Sequence, residues 1–172
     1  MDKKYILFIV GEYDSGKSTL IRCLTGTWRC KVVNVKDLSG QPLKAFVSLS
    51  APQERGLSKH PPSNFPASIE QEYKVSRDDY KLLISALELK VSPRSRASHG
   101  YEQYIHSVQR QRFDVRLAVI ENSWDDKPAD QNELSNIQVF ARQVNITPPL
   151  LLANASNDPN EEANKIRRNL YP

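Results

Sequence analysis

The fold is decided by the stretch Gly11-Glu12-Tyr13-Asp14-Ser15-Gly16-Lys17-Ser18. It follows a continuous apolar run at residues 4–10, as expected of a parallel strand that is buried on both faces. After it we expect a helix over residues 16–24 that stops at Gly26. The two glycines let the backbone curl, so that successive N–H groups point inward at the positive end of this helix. The stretch is therefore predicted to bind an anion.

Two side chains in this stretch suit a triphosphate. Lys17 can reach the β- and γ-phosphates, and the Ser18 hydroxyl can ligate Mg²⁺, whereas Thr19 lies one position too far along to be that ligand. A pattern of eight residues can occur by chance, and its place between a strand and a helix is what supports it. We predict a nucleoside triphosphate site that takes Mg²⁺ with GTP or ATP. The predicted nucleotide-binding residues are Gly11, Glu12, Tyr13, Asp14, Ser15, Gly16, Lys17, Ser18 and Thr19, with Asn154 and Asn157 from the far end of the chain.

Strands and helices alternate along the rest of the chain. The predicted elements are strands at residues 29–35 and 43–50, a helix at 80–91 after a capping box formed by Ser76 and Asp79, a helix at 101–112, a strand at 115–121, a helix from Asp130, a strand at 149–153 and a helix from Asp158. The link between the first two strands is too short for a helical crossover, so they should form an antiparallel hairpin. This order predicts one domain over residues 1–172. Its fold class should be a three-layer α/β/α sandwich with a mostly parallel sheet and one antiparallel edge hairpin.

Beyond the loop, the order of the elements resembles the Ras-like branch of the P-loop GTPases. The second predicted strand ends Leu49-Ser50-Ala51-Pro52-Gln53-Glu54, which is similar to the family's Asp-x-x-Gly-Gln switch. The last strand ends Asn154-Ala155-Ser156-Asn157, which is similar to its base-reading Asn-Lys-x-Asp. The resemblance covers roughly residues 1–56 and 113–170, and leaves residues 57–112 as an insertion. It implies a P-loop NTPase fold, a switch or regulatory role, and a chain that ends before the family's sixth strand.

Departures from the family pattern bear on the mechanism. Leu49 stands where the family has an Asp that supports Mg²⁺ through water. This support is therefore missing unless Asp37 or Glu121 supplies it. Pro52 has no N–H to contact the γ-phosphate. Asn157 cannot accept two hydrogen bonds from guanine as a carboxylate would. These changes predict slow or absent hydrolysis and weak selectivity between ATP and GTP.

Four further side chains have open interpretations. Gln53 could orient an attacking water, as the resemblance implies, or be a solvated loop glutamine. Glu121 could polarise water or bind Mg²⁺ through water, or be an exposed acid at the end of a strand. Trp28 and Trp124 are packing residues or neighbours of the base. The candidate catalytic residues are Lys17, Gln53 and Glu121, and the candidate metal ligand is Ser18.

The positive charge of the chain is concentrated in residues 90–116. This segment has six basic and two acidic residues, a difference equal to the net charge of +4 of the whole chain. It could attract an anionic partner, clamp a phosphate, or be a solvated basic loop. If the arginines form a lid, the chain is a small phosphotransferase; another alternative is a protein-interaction module that nucleotide stabilises. The arginines of the predicted lid are Arg94, Arg96, Arg110 and Arg112.

Composition bears on the cellular location of the protein and on the kinds of site it can have. No apolar run approaches the roughly 18 residues of a membrane-spanning helix. Cys23 and Cys30 are too few for a disulfide framework and match no zinc motif, so we expect reduced thiols and a cytoplasmic location. The three histidines show no metal-ligand spacing. A protein partner is expected because a switch domain acts through contacts.

Overall fold

A six-stranded sheet forms the middle of the molecule in the computed structural model, which describes residues 3–55, 59–90, 100–146 and 150–172. The strands are β1 (Lys4–Gly11), β2 (Lys31–Lys36), β3 (Pro42–Ser48), β4 (Leu82–Glu88), β5 (Phe113–Asn122) and β6 (Leu151–Asn154). Their order across the sheet is β2-β3-β4-β1-β5-β6. Neighbouring strands are parallel except β2 and β3, which are antiparallel. The predicted mostly parallel sheet with one antiparallel edge hairpin is confirmed.

Helices cover both faces of the sheet. They are α1 (Lys17–Thr25), α2 (Ala67–Tyr73), α3 (Tyr101–Arg110), α4 (Gln131–Gln143) and α5 (Pro159–Leu170). Side chains of α1 and α5 pack on one face, and those of α2, α3 and α4 pack on the other. The three-layer α/β/α sandwich is therefore confirmed. Within the described part of the chain, no helix is both long enough and apolar enough to cross a membrane.

The central strand β1 explains why two layers of helices are needed. Ile6, Phe8 and Val10 pack toward α2, α3 and α4, whereas Leu7 and Ile9 pack toward α1 and α5. All five side chains are fully buried, and each contributes about 1.5–3 kcal/mol by leaving water. This strand leads directly into the loop, so the loop starts from the most firmly packed part of the sheet.

Helix ends follow the predicted signals. Gly26 ends α1 with a φ of 68°, in the left-handed region that glycine adopts without steric cost. The Asp130 side chain accepts hydrogen bonds from the backbone N–H groups of Asn132 and Glu133 at the start of α4. Asp158 caps α5 in the same way, with Pro159 at the first helical position. These boundaries could be predicted because each depends on one residue and its immediate neighbours.

The predicted helix over residues 80–91 is wrong where the structure describes it. Ser76 and Asp79 do form the predicted capping box, but it caps only the 3-10 turn Arg77–Asp79. The chain then forms β4, every residue of which is buried between β1 and β3. A strand buried on both faces has no alternating pattern, so its apolar residues can match helical spacing by chance. β4 also gives the sheet its sixth strand, from the segment that the resemblance left as an insertion.

Candidate functional site

The loop between β1 and α1 has the curl that its glycines predict. Gly16 has a φ of 99° and Asp14 a φ of 56°, both left-handed. A side chain on Gly16 would also lie 3.2 Å from the Cβ of Ala155. Gly11 is favoured for a different reason, because a Cβ there would lie 2.3 Å from Ser15 Oγ and 3.3 Å from Ile120 Cβ, so that a neighbour would have to shift. The loop thus depends on one glycine for its backbone angle and on the other for space.

Lys17 places its ammonium inside this loop. The side chain is 5% exposed, and its Nζ donates to the carbonyl oxygens of Gly11 (3.2 Å) and Glu12 (2.6 Å). Desolvation is the largest effect on its pKa and lowers it, while the charges of Glu54 and Glu88 oppose that shift. Glu54 Oε1 lies 3.7 Å from Nζ. A cation that water screens so little is a strong attractor for an anion.

A cavity of about 490 Å³ opens over the loop. It is lined by residues 13–19 and by Arg22, Glu54 and Trp124. Its volume is in the range of cavities that hold small molecules, which is roughly 300–1,000 Å³. Most of the predicted nucleotide-binding residues of the loop therefore lie together. Glu12 does not line this cavity; its carboxylate accepts a hydrogen bond from the Asp130 N–H (3.1 Å) and so ties the loop to α4.

Glu88 is a site residue that the sequence analysis missed. It ends β4 and lies in register with Gly11 of β1. Alternation along β4 places Ala86 on the face that α1 covers, so Glu88 also faces α1 and the ammonium of Lys17. Its side chain is almost fully buried, and its charge acts on Lys17 to raise the pKa. The sequence does contain a signal for Glu88, because an apolar run ends in this carboxylate. We missed it because we interpreted the run as a helix.

The comparison of Leu49 with the family's switch Asp does not hold in this sheet. Leu49 follows β3, and β4 lies between β3 and β1. The acid that reaches the phosphate loop from a neighbouring strand is therefore Glu88.

Gln53 supports the end of β4. It is 1% exposed, so the interpretation as a solvated loop glutamine is wrong. Its amide nitrogen donates to the Glu88 carbonyl (3.3 Å), and its amide oxygen accepts from the Glu88 N–H (3.1 Å). Both ends of the amide are therefore engaged with the backbone of β4. A role of Gln53 in orienting water stays a prediction.

Of the two carboxylates expected to replace the missing Asp, only Glu121 lies at the end of the sheet that carries the loop. Asp37 is in the turn before β3, at the opposite edge of the sheet, where it accepts hydrogen bonds from the backbone N–H groups of Ser39 (2.9 Å) and Gln41 (2.8 Å). Support of Mg²⁺ by Asp37 is therefore wrong. Glu121 follows Ile120, which packs on the face that α1 covers. A β-bulge between Ile120 and Asn122 interrupts the alternation of side chains at Glu121, so its role in catalysis stays a prediction.

Polar side chains of the loop after β6 form hydrogen bonds within that loop and with α5. Asn154 Oδ1 accepts from the N–H (3.0 Å) and the hydroxyl (2.7 Å) of Ser156. The Asn157 amide donates to Glu162 Oε1 (3.2 Å) on α5. Neither asparagine is among the residues that line the cavity. The residue of this loop that does approach the phosphate loop is Ala155, which has no polar group.

The basic segment is only partly described. Arg94 and Arg96 lie outside the described residues. Arg110 ends α3 and Arg112 precedes β5, so both lie at the edge of the sheet opposite the phosphate loop. A lid over the phosphates cannot include these two arginines. Arg116 has a packing role, since it donates to the Leu170 carbonyl (2.8 Å).

Both tryptophans are on the surface, so the interpretation that they are packing residues is wrong. Trp28 is 71% exposed, and the Arg22 guanidinium lies 4.1 Å from its ring centroid. Trp124 is 59% exposed and lines the cavity. The structure therefore brings Trp124 into the site from the end of β5.

Comparisons with known proteins found similarity among solved structures. No protein-family model matches this chain, and no curated protein matches it. Among solved structures, the G-domain of FeoB from Methanococcus jannaschii is similar over 95% of each chain, with 16% sequence identity and a TM-score of 0.44. The α/β fold of the P-loop NTPases follows from the sheet and the loop described above.

Proposed function

We propose that this chain binds Mg²⁺ with a nucleoside triphosphate in the cavity over the loop. The observation that carries the proposal is Lys17, a buried ammonium at the centre of a curled loop that opens a helix. Backbone N–H groups at a helix start attract phosphate oxygens, and a desolvated lysine binds them as a point charge. A cavity of about 490 Å³ leaves room for the rest of the nucleotide.

The residues beside Lys17 fit a magnesium ion. Mg²⁺ takes oxygen ligands and is usually held by one or two carboxylates together with substrate phosphates. Ser18 lines the cavity at the start of α1, and the buried Glu88 faces α1 from the end of β4. No group of three His, Cys, Asp or Glu side chains in the described part of the chain forms a metal site by itself. Bound Mg²⁺ would neutralise phosphate charge, with Ser18 as ligand and Glu88 as support.

Binding rather than turnover is the proposed output. The Gln53 amide, which the resemblance offers for orienting water, is engaged at both ends with the backbone of Glu88. The chain would thus act like a degenerate Ras-like domain, as a cytoplasmic switch or regulator that signals through a protein contact. We propose a single domain, because the supposed insertion at residues 57–112 supplies β4 to the centre of the sheet.

Isothermal titration with Mg²⁺-ATP and Mg²⁺-GTP tests the proposal. The wild-type protein should bind both, and Lys17→Ala should weaken both about 10- to 100-fold, because a charge-assisted contact contributes roughly 1.5–3 kcal/mol. Circular dichroism should show that the variant is folded. Near-normal affinity in a folded Lys17→Ala protein would disprove the proposed role of the loop.

A further inference from the structure

Trp124 is held against the phosphate loop while more than half of its side chain stays exposed. Its indole Nε1–H donates to the Asp14 carbonyl oxygen at 2.9 Å, and the side chain is 59% exposed. It lines the cavity together with the loop residues that surround Lys17. Trp combines a large apolar ring with an N–H donor, so a Trp whose N–H is bonded to the protein can keep a ring face available to a ligand.

The backbone that carries Trp124 is fixed by a closed turn. The Asp126 N–H donates to the Ser123 carbonyl (3.0 Å), and the Ser123 N–H donates to the Lys127 carbonyl (2.9 Å). The Ser123 hydroxyl donates to the same Lys127 carbonyl (3.1 Å). The indole is therefore fixed at both ends, by this turn and by the Asp14 carbonyl. A ligand that stacks on it would not have to order the side chain first.

The position of Trp124 beside the phosphate loop matches a nucleobase better than a phosphate. A Cβ on Gly16 would lie 3.2 Å from Ala155 and 3.8 Å from Trp124, so these two residues flank the end of the loop. Ala155 offers no hydrogen bond, and the side chains of Asn154 and Asn157 are engaged within their own loop and with α5. What this side of the cavity offers to a ligand is a flat aromatic surface.

We propose that Trp124 is the stacking platform for the base of the bound nucleotide, and that the base is held by its face and not read by its edge. This inference rests on the proposed function, because it assumes that phosphates occupy the loop. Every base has a π-face, so a stacking site tolerates all of them, and larger purines gain more than pyrimidines. The site should therefore accept purine nucleoside triphosphates with little distinction between adenine and guanine.

Inorganic tripolyphosphate distinguishes the contribution of Trp124 to affinity from that of the phosphate loop. It carries the phosphates without a base, so with Mg²⁺ it should bind wild-type protein and Trp124→Leu equally, within about twofold. ATP and GTP should each bind Trp124→Leu about tenfold more weakly than wild type, as expected for the loss of one stacked base. Trp124→Phe, which keeps a ring but loses the donor to Asp14, should remain within about threefold of wild type. Trp28→Leu is the matched control, since it removes an exposed indole that does not line the cavity, and it should change nothing.

Fluorescence gives an independent measurement. In a Trp28→Phe background the indole of Trp124 is the only one, and ATP should quench it whereas tripolyphosphate should not. The inference is overturned if Trp124→Leu weakens tripolyphosphate as much as ATP, because the indole would then act only by shaping the loop. It is also overturned if wild-type protein binds tripolyphosphate as tightly as ATP, a result that leaves the proposed phosphate site intact. If wild-type protein binds neither, both proposals fail.

Discussion

Burying the ammonium of Lys17 has a cost in folding that the charges of Glu54 and Glu88 offset only in part. Desolvation lowers its pKa from the usual 10.5, so the unfolded chain holds this proton more tightly than the folded one. Stability is therefore reduced at pH values below the folded pKa, and the penalty fades as the pH rises toward 10.5. A residue that weakens the fold and lies in a ligand cavity is better explained by binding than by packing.

Lys17→Met should consequently keep or raise the thermal stability of the protein at neutral pH. The methionine fills similar space without a charge to desolvate, and any gain should shrink as the pH approaches 10.5. Thermal unfolding of both proteins across this pH range measures the effect. A loss of more than about 2 kcal/mol at neutral pH would show that the hydrogen bonds of Lys17 outweigh its desolvation.

Glu88→Gln should remove most of the effect of Mg²⁺ on nucleotide affinity. The buried carboxylate faces the loop, and an amide of the same shape cannot supply its charge. We expect Mg²⁺ to tighten triphosphate binding in wild-type protein and to do so about tenfold less in the variant. Titrations with Mg²⁺ and with a chelator give the two affinities. Glu121→Gln is the comparison variant, since it removes the other carboxylate expected to support Mg²⁺, and an equal effect of both substitutions would contradict the assignment.

At the scale of elements, the sequence was sufficient to predict the features that depend on a few neighbouring residues. The loop, the stop at Gly26, the cap at Asp130 and the antiparallel hairpin could all be predicted, because each depends on neighbours in sequence. β4 could not, since its two apolar faces come from its central position in the sheet, which no local pattern records. The error hid Glu88 and led to the false alignment of Leu49. The contact of Trp124 with Asp14 could not be predicted either, because the two residues are 110 positions apart in the sequence.

The end of α3 belongs to another surface. Arg110 and Arg112 lie at the edge of the sheet opposite the phosphate loop, so their charges act on bound phosphate only through the protein and the solvent. Replacing both with Ser should leave affinity for Mg²⁺-ATP within about twofold, while binding to any polyanion at this edge should weaken and depend less on salt. Titration of the double variant decides the matter. A hundredfold loss of ATP affinity would restore the arginine lid and the phosphotransferase function.

At the scale of the whole molecule, the parts around the cavity favour holding a triphosphate over cleaving it. Two residues tie the loop to other elements: Glu12 accepts from Asp130 at the start of α4, and Asp14 accepts from Trp124 after β5. Lys17 holds the loop together from inside, through its bonds to the loop carbonyls. Hydrolysis of a bound triphosphate would also need a group that orients the attacking water. The Gln53 amide is engaged at both ends with β4, and breaking those bonds would uncover buried polar groups.

Intrinsic hydrolysis should therefore be slow, at or below the order of 10⁻³ s⁻¹ typical of an unassisted Ras-type site. Release of phosphate from ATP and GTP under single-turnover conditions measures it, with Lys17→Ala as the background. Gln53→Ala is the informative variant: if the amide only supports β4, the variant should lose thermal stability by about 1–3 kcal/mol and keep the same low rate per folded molecule. A fall in rate without a loss of stability would instead place Gln53 in the reaction. Turnover near 1 s⁻¹ in wild-type protein would contradict the proposal that binding and not hydrolysis is the output, because a residue at the cavity would then have to activate water.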